Sequence, residues 1–204
     1  MKIVLIRHGE TKGNELKVYL GQTDELLSEN GIRMIKSNFS EKIYPNVEHI
    51  YVSPMKRCLE TMKIIYQNLD YTIVDDLKEC NFGNFEYMSY EQLKDNYDYQ
   101  KWIESGGNIA FPKGESKLEF SQRSIAAFEN IIDTAIISGQ ENIAVICHGG
   151  TIMAIMERFE KSHKSFYEWQ IKNGDGFVNE IDEKVWDTDK KMSLTKKICS
   201  NKAD

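Results

Sequence analysis

Proline is scarce in this chain, three residues in 204, and no stretch is given over to glycine, serine or one kind of charge. A disordered or linker-like polymer is thereby excluded. Cysteine is little used: Cys58, Cys80, Cys147 and Cys199 form no C-x-x-C pair and no zinc-like spacing with histidine, so neither a disulfide framework nor a metal site is indicated. Long apolar runs are also lacking. The first one, residues 3–6, is four residues long before Arg7, too short for the core of a signal peptide, and no later run approaches a membrane span. Reduced thiols and the missing apolar leader make the cytoplasm the expected location, with no membrane partner. Excess positive charge is absent as well. A net charge of -6 argues against nucleic acid, which demands a broad basic face, while leaving room for a small basic pocket that takes an anion.

What is present describes a globular chain large enough for one sizeable core: 41% apolar and 28% charged residues over 204 positions. Residues 2–7, KIVLIR, are nearly continuously apolar and partly β-branched, as a strand buried on both faces of a parallel sheet would be. Similar runs recur at 49–53, 71–75 and 142–147. Between them lie helical stripes: Ser28 stands before Ile32, Ile35 and Phe39, and Ser53-Pro54 before Leu59, Met62, Ile65 and Leu69. Ser116 with Glu119 three residues on has capping-box spacing and opens a helix through Phe128 and Ile136 that stops near Gly139. The alternation predicts an α/β fold, a three-layer α/β/α sandwich around a mainly parallel sheet, with the site beyond the carboxyl ends of its strands. Residues 80–115 break the pattern with eight aromatic side chains of weak periodicity and are expected to form a small, mostly helical cap insertion over that rim. Residues 177–182 alternate as a late edge strand would, and the Lys-rich stretch from 190 is expected to be a solvated, partly mobile tail. One domain over 1–204 is the expected organisation.

The sharpest local signal is Arg7-His8-Gly9-Glu10-Thr11 at the end of the first strand. A single histidine at a strand end is usually a structural hydrogen-bonder. Here Arg7 adds a fixed positive fork suited to phosphate oxygens, Gly9 permits close backbone approach, and a helix starting at residue 10 or 11 would turn free N–H groups to the same point. Arg57, in the first turn of the helix after the second strand, and His148, at the end of another strand before Gly149-Gly150-Thr151, converge on that rim. Cys147 beside His148 could also be read as a nucleophile, although a buried strand residue is the better reading.

Arg-His-Gly-Glu-Thr, Ser53-Pro-x-x-Arg57 with Thr61, Glu79-x-x-Phe82-Gly83-x-Phe85-Glu86, Gly114-Glu115-Ser116 and His148-Gly149-Gly150, in that order, resemble the histidine phosphatase superfamily, also called phosphoglycerate mutase-like. The resemblance covers roughly residues 1–155. It implies that His8 is the phosphorylated nucleophile, that Arg7, Arg57 and His148 hold the phosphate, that Glu79 is the proton donor, and that Asn14 and a backbone N–H near Gly149 assist. Gln22, Thr23 and Asp24 resemble the family's substrate-side loop. Phe85 and Tyr87 stand where many relatives have Trp and Gly, and Cys147 where Ser is common; these departures flank the chemistry and bear on substrate shape. The implied activity is a metal- and cofactor-independent phosphomonoesterase acting on a small phosphorylated substrate. The alternatives are a cofactor-dependent phosphoglycerate mutase and a phosphate-binding module without turnover. The cap's scattered Lys94, Lys101 and Lys113, among acids such as Glu86, Glu91, Asp95 and Asp98, favour the phosphatase.

Overall fold

The computed structural model describes residues 1–200. Six strands, β1 (Lys2–Arg7), β2 (His49–Val52), β3 (Tyr71–Ile73), β4 (Asn142–Cys147), β5 (Gly176–Glu180) and β6 (Ser193–Ile198), form one sheet in the order β3-β2-β4-β1-β5-β6. The pairs β3–β2, β2–β4 and β4–β1 are parallel, and β5 and β6 extend the sheet antiparallel. The apolar character of β1 and β4 follows from their central place. Ile3, Leu5, Ile143 and Val145 point into one core and Val4, Ile6, Ala144 and Ile146 into the other, so both faces must be apolar.

One face is covered by α6 (Lys117–Ile137), α7 (Gly149–Phe159) and α8 (Glu183–Asp189), whose Phe128, Phe159 and Trp186 fill it. The other is covered by α2 (Glu29–Ser40) and α3 (Lys56–Ile65). This is the α/β/α layering expected from the alternation. Helix starts obey the sequence signals at α2, where Ser28 accepts from the Gly31 N–H, and at α6, where Ser116 and Glu119 make the capping box; each cap contributes about 1 kcal/mol. Gly139 follows the end of α6 with φ +67°, the left-handed turn that stops a helix.

Three expectations need correcting. The helix expected from Ser53 starts at Lys56, with Met55 at its N-cap making no side-chain cap bond, and it ends at Ile65, short of Leu69. Ser53 is used elsewhere, as described below. The late strand is β5, which begins one residue and ends two residues earlier than 177–182, and it is not at the edge, because β6 pairs outside it. The stretch from 190 is not a solvated tail: β6 pairs with β5 along its length, and Met192 and Ile198 are buried. Its Lys196 and Lys197 are consecutive and both exposed on this edge strand, which is why charge alone read as a tail. Residues 201–204 of that stretch lie outside the described residues.

A third apolar cluster lies apart from the two cores. Residues 80–115 contain a 3-10 turn at Gly83–Phe85 and the short helices α4 (Tyr90–Leu93) and α5 (Tyr97–Glu104). Phe85, Leu93, Tyr99 and Phe111 pack there with Phe120 of α6 and Phe166 from the 3-10 turn at Phe166–Trp169. This layer, the cap below, therefore draws on residues after α7 that the sequence pattern did not assign to it.

Candidate active site

Because β1, β2 and β4 run parallel, their carboxyl ends lie on one rim. The His8 amide donates to the Cys147 carbonyl at 3.0 Å and the Ser53 amide to Ile146 at 3.0 Å, so the last rungs of the sheet bring His8, Ser53 and His148 together. The His8 and His148 rings meet edge to face, 5.2 Å apart.

His8 is 3% exposed, and its Nδ1 lies 2.6 Å from the Gly9 carbonyl oxygen. A carbonyl can only accept, so Nδ1 carries the proton and Nε2 is left with a free lone pair. Burial, then the charges of Arg57 and Arg7, hold His8 well below the ordinary histidine value, so the ring is neutral. The loop that presents it is tied from several sides. The Gly9 amide donates to Thr61 Oγ1 at 2.9 Å, and Asn173 Nδ2 donates to the carbonyls of His8 and Gly9 at 3.2 and 3.3 Å and to Asn14 Oδ1 at 3.0 Å. Thr11 caps the single-turn helix α1 (Lys12–Glu15), and Asn14 answers it from the third position of that turn.

Arg57 has no exposed surface. Its Nε donates to His148 Nδ1 at 3.2 Å, Nη1 to the Thr23 carbonyl at 2.9 Å and Nη2 to the Gly21 carbonyl at 2.6 Å. Nη1 and Nη2 each keep one N–H unspent. Accepting from Arg57 on Nδ1 makes His148 the Nε2–H tautomer, which donates to Ser53 Oγ at 2.8 Å. Both His148 nitrogens are thus engaged, and burial, with Arg57 next, keeps it neutral. Arg7 gives Nη1 to the Ile171 carbonyl at 2.7 Å, while its buried Nε has no partner. Gly149 permits this: a Cβ there would stand 3.3 Å from Arg7 Nε. Burial and the neighbouring Arg57 pull Arg7 below its usual value and Glu79 opposes them. Two guanidinium groups with unspent donors, close enough to repel, form a site that an anion completes.

Glu79 faces this pair from the segment after β3. Its Oε1 accepts from the Cys80 amide and its Oε2 from the Gly150 amide, both at 3.0 Å. Burial raises its carboxyl above the usual range even though those two bonds and the Arg57 and Arg7 charges pull the other way. A side chain at Gly150 would collide with Glu79 Oε1, so glycine is required for this approach. Arg123 steadies the segment by donating to the Asp76, Lys78 and Glu79 carbonyls while paired to Glu115 at 2.9 Å, and Glu115 also accepts from the Asn81 amide.

A cavity of about 550 Å³ opens onto these groups. Arg7, Asn14, Glu79 and Gly149 line it at the rim, whereas His8, Arg57 and His148 are buried and are not among its lining residues. The cap supplies the aromatic wall, Tyr19, Phe82, Trp102, Phe111, Phe166 and Tyr167. Gln22 and Thr23 do not line the cavity. The Gln22 side chain donates to the Glu79 carbonyl at 3.4 Å and the Thr23 hydroxyl to Glu86 at 2.8 Å, so both brace the loop. Cys147 is fully buried and its thiol, like that of Cys58, which is pushed up to about 12, is held protonated by burial; neither is an activated nucleophile. Among the described residues no group of three or more His, Cys, Asp or Glu is placed to hold a metal, and no helix is long and apolar enough to cross a membrane.

The sequence placed Ser53 at the rim and Thr61 in the motif without giving either a role, and it did not point to Arg123 or Asn173 as site-building residues. The Asn173-Gly174 dipeptide, a turn signal, was the one available pointer to the last. It closes a turn with Gly174 at φ +77° and the Gly174 amide donating to the Arg7 and His8 carbonyls.

Fold and site define an α/β protein with a neutral histidine, two arginines and a buried carboxylic acid gathered at a strand-end cavity. The chain belongs to the histidine phosphatase superfamily, branch 1, whose family model matches residues 3–191. It is 25% identical over 179 residues to the adenosylcobalamin/alpha-ribazole phosphatase of Salmonella typhimurium, spanning 85% of this chain and 87% of that one. It is 32% identical over 120 residues, 57% of either chain, to phosphoserine phosphatase 1 of Hydrogenobacter thermophilus. The crystal structure of the alpha-ribazole phosphatase from Shigella flexneri superposes with a TM-score of 0.82 at 23% identity, covering 98% of this chain and 96% of that one, which shows the shared fold.

Proposed function

We propose that this protein is a phosphomonoesterase that hydrolyses a small phosphorylated metabolite through a phosphohistidine on His8, without a metal or cofactor. The observation that carries the reading is the His8 Nδ1 bond to the Gly9 carbonyl, which leaves Nε2 as a neutral nucleophile beside the unspent N–H groups of Arg7 and Arg57. In the first step the Nε2 lone pair attacks phosphorus in line, the bond to the substrate's alkoxy oxygen breaks, and the Glu79 carboxyl proton passes to that oxygen. Arg7 and Arg57, with the Gly149 amide and Asn14, neutralise the charge on the transferred group, and His148 joins by exchanging its Ser53 bond for one to a phosphate oxygen. In the second step the Glu79 carboxylate takes a proton from water, water oxygen bonds to phosphorus, the P–N bond breaks and inorganic phosphate leaves. Those two arginines supply the positive charge that a divalent cation supplies elsewhere, so chelation is expected to leave turnover intact.

Hydrolysis is favoured over mutase chemistry by the wall of the cavity. A mutase must hold a second anionic group and return the phosphoryl group to it, but Lys94, Lys101 and Lys113 do not line the cavity, and among the described residues Lys117 is the single lysine that does. Names of relatives, among them phosphatases and a probable phosphoglycerate mutase of Yersinia pestis, are compatible with either outcome. Rapid quenching during turnover of a phosphomonoester panel tests the reading. Acid-labile phosphate should map to His8, inorganic phosphate should be released, and His8→Ala should lose about 10⁴-fold or more in kcat. Near wild-type turnover by His8→Ala sinks the nucleophile; efficient interconversion of the two phosphoglycerates without phosphate release makes the protein a mutase.

A further inference from the structure

The Glu86 carboxylate collects five donors, four from residues 21–23 and one, the Phe82 amide, from its own turn of chain. Oε1 accepts from the amides of Gln22 at 2.9 Å and Phe82 at 3.0 Å; Oε2 accepts from the amides of Gly21 and Thr23, both at 3.2 Å, and from the Thr23 hydroxyl at 2.8 Å. Three of those amides belong to consecutive residues of the loop after α1. The same three residues carry the carbonyls, Gly21 and Thr23, that receive Arg57 Nη2 and Nη1. One loop is therefore gripped on its N–H side by a carboxylate of the cap and on its C=O side by an arginine of the rim. The fit is tight: a side chain at Gly21 would collide with Glu86 Oε1 and the Cys80 carbonyl.

From this clamp we infer that Glu86 is a positioning residue for phosphoryl transfer: by fixing the amides of residues 21–23 it fixes the two carbonyls that aim the Arg57 guanidinium. Sequence alone ranked Glu86 with the cap acids that repel a second anion; the geometry gives it a different task. Each carbonyl takes one N–H of Arg57 and thereby directs the remaining N–H of that nitrogen. A shift of the loop by a fraction of its hydrogen-bond length rotates the fork, and misplacement of about 1 Å costs on the order of 10²-fold in rate. The Gln22 N–H and the Gly21 carbonyl belong to one peptide unit, so Glu86 Oε1, that unit and Arg57 Nη2 form one chain of charge-assisted bonds.

The inference rests on the reading of Arg57 as a phosphate holder, and a double-mutant cycle separates the two. Glu86→Gln keeps the shape but replaces one accepting oxygen by an N–H₂ group. Turnover of p-nitrophenyl phosphate and inhibition by vanadate, which mimics the five-coordinate phosphorus, are measured for wild type, Glu86→Gln, Arg57→Ala and the double variant. Glu86→Gln is expected to lower kcat about 10-fold or more and to weaken vanadate comparably, with a smaller change in KM, and to have less than about a 2-fold effect once Arg57 is alanine. Multiplicative losses in the double variant, or Glu86→Gln within about 2-fold of wild type, overturn the inference while leaving the Arg57 assignment standing. An Arg57→Ala protein with full vanadate affinity overturns the assignment itself and the inference with it. Should Glu86→Gln fail to fold, Thr23→Val removes one of the five bonds and should show the same pattern more weakly; additivity with Arg57→Ala there overturns the inference equally.

Discussion

At the rim of the sheet the side chains are held by directional bonds, each polar atom of Arg57 and His148 assigned to a named partner at 2.6 to 3.2 Å. In the cap, a few residues away across the cavity, rings hold rings: Trp102 stacks on Phe111 at 4.8 Å and on Tyr99 at 5.9 Å, and Phe82 meets Phe111 edge-on at 5.0 Å. Hydrogen bonds in a buried site tolerate little displacement, whereas apolar packing can rearrange for a cost of a few kcal/mol. The difference assigns the labour. The rim is built to do one reaction with fixed geometry, and the cap to accept the rest of a substrate by surface and shape. Glu86 and the loop at 21–23 couple the two.

The comparison breaks most visibly at Glu79, the rim residue that faces the cap. Glu79→Gln is expected to slow hydrolysis of alkyl phosphates by roughly 10²-fold or more, since the leaving alkoxide loses its proton donor, while aryl phosphates with good leaving groups suffer less. The pH profile checks the cause. With the Glu79 value raised and that of His8 lowered, the productive state has a protonated acid and a neutral base; activity should fall as pH rises through the Glu79 value, and that limb should vanish in Glu79→Gln. Equal losses for both substrate classes with the alkaline limb intact would take the acid role from Glu79.

These two regions were unequally legible in the sequence. The rim could be read because buried parallel strands are continuous apolar runs and their ends carry His8, Arg57 and His148 at positions where the fold must bring them together. The partners that hold them could not, because Ser53, Thr61 and Asn173 act across 52 to 165 positions of chain, through single bonds that leave no periodic mark. Ser53 shows the cost of local reasoning: it stands where a helix cap would, and its hydroxyl goes to His148 instead. The cap was visible as an aromatic interruption, but its closing piece at Phe166–Trp169 lies beyond α7 and had no local signal tying it to residues 80–115. At the other end of the sheet, lysines concealed β6, since an edge strand needs only half its residues apolar.

A smaller effect sharpens the comparison from the cap side. Trp102 lines the cavity and is packed between Tyr99 and Phe111. Trp102→Ala removes wall and stacking without touching the rim, so KM for a bulky phosphomonoester should rise about 10-fold, the scale of one lost apolar contact surface, with kcat for p-nitrophenyl phosphate little changed. A fall in kcat as large as that of Glu79→Gln would show that cap and rim are one rigid unit and that the division drawn above is wrong.

The smallest expected effect concerns stability and belongs to the rim alone. His8 and His148 are both held neutral, their folded values well below the ordinary 6.5, with burial the largest cause and nearby arginines adding to it. A group whose folded value is depressed contributes its full stability above the unfolded value and loses it as pH falls from there through the folded value. Each buried histidine should therefore cost up to about 1.4 kcal/mol per pH unit below 6.5, because the unfolded chain binds a proton that the folded site refuses. His8→Asn removes one of the two. Urea unfolding across pH 7 to pH 5 should show wild type losing stability more steeply than His8→Asn, with the two curves separating by about 1 kcal/mol in the first unit below 6.5. Tryptophan carries no titratable group, so Trp102→Ala should run parallel to wild type over the same range. Parallel curves for His8→Asn and wild type would mean that His8 accepts its proton in the folded protein, and with it the neutral nucleophile on which the proposed chemistry depends would be lost.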